Sequence, residues 1–148
     1  MEIELETENF GDLVVVEDLK NSNILRVMQE IRTTFARGDW NEVVEAYEGS
    51  SVLLKGQRVL RLEAACLAAR AWVVLKDRNK ARALLKPLMQ AEYKKPVHYE
   101  FLARALLDLK QYDAAAKACE KAHALRQGML NGQEASDRGQ SRNMPAPQ

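Results

Sequence analysis

Two cysteines, two histidines and three arginines are the side chains of this chain best equipped for chemistry. Cys66 and Cys119 show no paired motif spacing, so a disulfide framework or a zinc site is not expected. Cys66 has the makings of a reactive thiol if it faces solvent, although a buried structural thiol is the plainer reading. His98 and His123 have no Cys, Asp or Glu at a recognised metal-motif spacing, and His123 falls near the expected end of the last helix, where its charged form suits the helix dipole. The sequence contains no phosphate-cradling glycine loop, no Gly-x-Ser-x-Gly elbow and no paired-carboxylate motif. Catalysis, a metal and a cofactor are therefore not expected. The arginines carry a different chemistry. Arg32, Arg70 and Arg104 fall at matching sites of an internal repeat, and guanidinium groups recognise carboxylate or phosphate through forked, charge-assisted bonds.

The repeat is the element that must position them. Gly38-Asp39-Trp40-Asn41-Glu42-Val43, Lys76-Asp77-Arg78-Asn79-Lys80-Ala81 and Lys110-Gln111-Tyr112-Asp113-Ala114-Ala115 can be laid over one another, with Asp39, Asp77 and Gln111 spaced 38 and 34 residues apart. A period in this range, flanked by helical sequence, signals stacked helix pairs. Such stacks usually bind rather than catalyse.

Composition agrees. The 148 residues, 47% of them hydrophobic, suffice for one domain with one core. Aromatics make up only 6% and the apolar set is mostly Ala and Leu, which lets helices approach closely and predicts an all-α body. A net charge of +1 gives the whole molecule no electrostatic reason to favour nucleic acid or an anionic membrane. The distribution is uneven, because residues 1–18 carry Glu2, Glu4, Glu6, Glu8, Asp12, Glu17 and Asp18 and no base. A segment of one sign beside a body of the other suggests an intramolecular or partner-facing contact, against the plainer reading of a solvated leader. No stretch resembles a signal peptide and no run of about twenty apolar residues would span a bilayer, so a cytoplasmic location without membrane insertion is expected.

Along the chain, residues 1–20 form an acidic leader, expected to be extended or flexible because Val14, Val15 and Val16 disfavour helix. Residues 21–126 form the helical domain. Asn21 or Ser22 is expected to cap a first helix that carries Ile24, Met28, Ile31 and Phe35 and stops at Gly38. Asp39 and Asp77 are expected to cap the second and fourth helices, and Lys95-Pro96 to open the fifth. The third, over about 59–75, is apolar over a broad face, as suits a helix packed on both neighbours. Pro87 predicts a kink or early stop in the fourth, and the sixth is expected over about 112–125. Residues 127–148, rich in Gln, Gly, Ser, Asn, Arg and Pro, are expected to be a flexible polar tail.

The third pair makes the pattern specific. Tyr99, Leu102, Ala103, Leu106, Tyr112, Ala115, Cys119 and Ala122 fall where a tetratricopeptide repeat places its large, small and aromatic residues. Ala69, Trp72, Ala81, Leu85 and Leu88 follow the pattern in the second pair, with Ala65 in place of the usual bulky first aromatic. In the first, Gly38, Asp39, Trp40 and Tyr47 match, while Val27 leads and Ile31 replaces a small residue. The chain thus resembles a protein with three tetratricopeptide-like repeats over about residues 22–125, which lacks the usual closing proline of each. The resemblance implies a right-handed αα-hairpin solenoid whose first helices line a concave groove. It places Arg32, Arg70 and Arg104 in that groove, with Met28, Phe35, Cys66, Val73, Val97 and Leu107 on or beside the same wall. The two-carboxylate clamp of heat-shock co-chaperones is not implied, since Met28, Arg32 and Leu67 stand at its corresponding places.

Arginines beside apolar residues describe a groove for an acidic, partly apolar peptide of a partner protein. The leader has that composition and is long enough to enter it. Against this stands a structural reading, in which the arginines pair with carboxylates such as Glu63, Glu100 and Asp108. The expected function is a non-enzymatic protein–protein interaction module, an adaptor or scaffold. Two alternatives stay open: a dedicated chaperone similar to type III translocator chaperones, and a repeat protein that self-associates through its end faces.

Overall fold

The computed structural model describes the backbone of residues 9–143 and the side chains of residues 20–130. It is all-α, with helices α1 (Asn9–Arg37), α2 (Trp40–Gly49), α3 (Arg58–Val74), α4 (Arg78–Met89), α5 (Pro96–Asp108) and α6 (Tyr112–Asn143), and no strand among the described residues. Consecutive helices pack on one another, and α3 also packs on both α1 and α5. The result is three pairs in a row, each touching the next.

The same turn closes each pair. Gly38, Lys76 and Lys110 all take positive φ, at 79°, 69° and 61°. In each turn the following N–H reaches back five residues, from Asp39 to Thr34, Asp77 to Trp72 and Gln111 to Leu106, at 2.9 Å every time. The positive-φ residue itself donates three residues back, to Phe35, Val73 and Leu107. This double closure satisfies carbonyls that the ending helix would leave without partners. The matching segments of the sequence are thus matching turns of the backbone.

Burial follows the helical period. Ile24, Met28, Ile31, Val43 and Val44 from the first pair pack with Ala64 and Ala71 of α3. Leu62, Cys66 and Ala69, on the other side of α3, pack with Ala81, Leu85, Tyr99, Leu102, Leu106 and Ala115. α3 therefore sits between two cores, and its alanines let both neighbours approach. Leu54, in the connection between α2 and α3, is only 1% exposed and belongs to the first core.

Several expectations are corrected. The first helix begins at Asn9, so residues 9–20 are not an extended leader and neither Asn21 nor Ser22 is a cap. β-branched residues lower helix propensity by only tenths of a kcal/mol, which the helix that follows them outweighs. The leader residues before Asn9 lie outside the described residues. Residues 127–143 continue α6, so the expected tail is backbone helix as far as Asn143. Extending a formed helix needs no new nucleation, and the sequence offers no proline until Pro145. Residues 144–148 lie outside the described residues. Asp77 caps α4, its Oδ1 accepting from the Lys80 N–H at 3.1 Å, whereas Asp39 makes no such bond at α2. α4 passes Pro87 and ends at Met89, and Pro96 opens α5 as expected.

Candidate functional site

The three in-register arginines have separate fates. Arg32 on α1 donates through Nε and Nη2 to the two carboxylate oxygens of Glu63 on α3, at 2.5 and 2.7 Å. This fork holds the Arg32 guanidinium above its usual pKa. Arg70 on α3 donates from Nε to Asp108 Oδ2 on α5 at 2.7 Å, and lies 4.8 Å above the Phe35 ring on α1. Both residues therefore tie one helix pair to the next. Arg104 on α5 is exposed and has no ion-pair partner among the described residues. Glu100 pairs instead with Arg126 on α6.

The apolar residues expected on the same wall divide too. Met28 and Cys66 are 1% and 2% exposed, which places them in the core rather than on a groove. Burial pushes the Cys66 thiol up to about 12, so it is inert at neutral pH. Phe35 and Val73 are half-buried, Phe35 beneath Arg70 and edge-on to Trp40. Leu107 and Val97 are exposed on α5. The free part of this face is therefore the α5 end, with Arg104 and Leu107.

A better formed recess lies elsewhere. A cleft of about 510 Å³ opens between α2 and α4 beside α3, floored by Ala65, Leu84 and Leu88 and walled by Tyr47 and Tyr93. Arg58 and Arg61 stand on its rim, and no carboxylate among the described residues lines it. Arg58 donates to the Glu92 carbonyl and stacks over the Tyr93 ring at 5.1 Å. Tyr93 is fixed by two bonds: its hydroxyl donates to the Leu88 carbonyl, and its N–H donates to the Tyr99 hydroxyl. Burial holds the Tyr93 hydroxyl above its ordinary pKa, so it stays a neutral donor. Arg61 is exposed and has no partner among the described residues. The arrangement offers one fixed aromatic wall at Tyr93, a second at Tyr47, an apolar floor and cations at the edge.

Sequence reasoning alone does not reveal this cleft, because its residues come from three helices and two connections. The one legible signal is Ala65, small at a position that Tyr99 fills in the next pair. Among the described residues, no cluster of His, Cys, Asp or Glu is arranged to hold a metal ion, and no helix is long and apolar enough to cross a membrane. His123 lies inside α6 rather than near its end. Comparison with protein-family models, curated proteins and solved structures gives no match.

Proposed function

We propose that this chain is a non-enzymatic protein–protein interaction module, built from tetratricopeptide-like helix pairs, that docks an acidic, partly apolar segment of a partner protein. The cleft beside α2 and α4 carries the reading: it joins an apolar floor to the two rim cations Arg58 and Arg61, with no lining carboxylate among the described residues. A concave apolar surface with a few convergent polar groups is the usual form of a recognition site. Cations at its edge favour partners of opposite charge. The row Arg32–Arg70–Arg104 contributes less, since its first two members are held by Glu63 and Asp108. Arg104 and Leu107 remain as a second contact region for the same segment.

Affinity capture from native lysate tests this with wild type, an Arg58→Glu/Arg61→Glu variant and an Arg104→Glu variant, each checked for helicity by circular dichroism. A partner held by wild type and lost with the first variant supports the cleft. Loss only with Arg104→Glu moves the contact to the α5 face. A wild type that enriches nothing over an unrelated helical protein removes the reading.

A further inference from the structure

We infer that the cleft between α2 and α4 receives an aromatic side chain, which anchors the docked segment; this rests on the interaction-module reading above. Two successive helix pairs of the same molecule supply the comparison. Ala65 and Tyr99 hold the same place in them, 34 residues apart like the turns at Asp77 and Gln111. In the third pair that place is filled: the Tyr99 ring is 4% exposed, and its hydroxyl accepts from the Tyr93 N–H at 2.9 Å. Lys121 lies 5.6 Å over the ring. The recess beside Tyr99 measures about 310 Å³.

In the second pair no ring stands at that place, and Ala65 itself lies at the base of the recess, 2% exposed. Ala65 replaces the ring, and Ala83 and Pro87 stand at the places of Lys117 and Lys121, too short to close over it. The recess here measures about 510 Å³. Its surroundings suit a ring more than an aliphatic chain. Tyr93 lines it, 7% exposed and edge-on to Tyr99 with centroids 5.3 Å apart, and half-buried Tyr47 lines it too. Edge-to-face contacts reward an incoming ring beyond the area it buries. Because Tyr93 is pinned by two hydrogen bonds, little order is lost on binding. Arg58 and Arg61 then meet carboxylates flanking the ring.

The test is selection of a phage-displayed library of random peptides, about a dozen residues long, on the full chain. Enriched clones are re-measured by fluorescence polarisation on wild type, Ala65→Phe and Ala83→Trp. Ala83 is exposed at the rim, so its substitution blocks the cleft without loading the core, and thermal melting verifies both folds. The expected result is enrichment of clones with one Phe, Tyr or Trp, whose affinity falls at least about tenfold on either folded variant. Clones that lack an aromatic, or that bind both blocked variants like wild type, overturn the aromatic anchor while leaving the module reading standing. If nothing is enriched over an unrelated helical protein, both fall.

Discussion

Arg70 reaches Asp108 across the interface between α3 and α5, Nε to Oδ2 at 2.7 Å, while its guanidinium covers the Phe35 ring on α1. One side chain thus touches all three helix pairs. Both partners are part-exposed, so the ion pair itself is expected to couple by about 0.5 kcal/mol in a double-mutant cycle of Arg70→Ala and Asp108→Ala. Arg70→Ala alone should cost about 1 kcal/mol more than Asp108→Ala, because it also uncovers Phe35. Equal single costs in urea melts would remove the bridging role.

The recurring turn gives a prediction of opposite sign. Lys76 and Lys110 adopt the left-handed conformation that costs an L-residue energy and costs glycine little, as at Gly38. Lys76→Gly and Lys110→Gly should each stabilise the fold by about 0.5–1 kcal/mol, net of the greater freedom of the unfolded chain. Gly38→Ala should destabilise by a similar amount. Guanidinium melts of the three variants check both signs.

Those turns also explain what is legible in the amino-acid order. Gly38-Asp39, Lys76-Asp77 and Lys110-Gln111 are short and local, so they are readable as a repeat from residue types alone. The place of α3 between two cores is likewise readable from its broad apolar face. Ion pairing is not. Glu63 and Asp108 are natural partners for the arginines, but only side-chain packing determines which arginine each carboxylate meets. Met28 and Cys66 fall in the core rather than on a groove because a neighbouring helix covers them, which helical period alone does not show. The α2–α4 cleft escapes a linear reading because it is bounded by residues as distant as Tyr47 and Tyr93.

Leu54 illustrates the same limit and yields a test. It lies in a turn between helices, where propensity predicts nothing, yet it is as buried as the helical core. Leu54→Ala should therefore cost about 2–4 kcal/mol, like a core truncation rather than a loop change. A cost within about 0.5 kcal/mol of zero, as for an ordinary surface substitution, would show that the connection relaxes to close the gap.

The two thiols should separate cleanly. Cys119 is exposed, whereas Cys66 is buried and raised to about 12. Near neutral pH, a disulfide reagent should label Cys119 at once and Cys66 only on global unfolding. Cys119→Ser should abolish the fast phase and leave the slow one. A fast phase that survives would place Cys66 at the surface, as a groove position requires.

His98 gives the fold a modest acid sensitivity. Burial lowers its pKa from 6.5, and the charges of Lys95 and Arg58 lower it further. Above about 6.5 the imidazole is neutral whether the chain is folded or unfolded, and its contribution is complete. As pH falls below that value, the unfolded chain takes up the proton more readily and stability declines. The decline levels off once pH has passed the folded-state pKa. Melting temperature followed from neutral to mildly acidic pH should therefore fall more steeply for wild type than for His98→Gln. Arg58→Met should flatten the wild-type slope in part, since it removes one of the two charges that oppose protonation. Parallel slopes for wild type and His98→Gln would place the acid sensitivity in other groups.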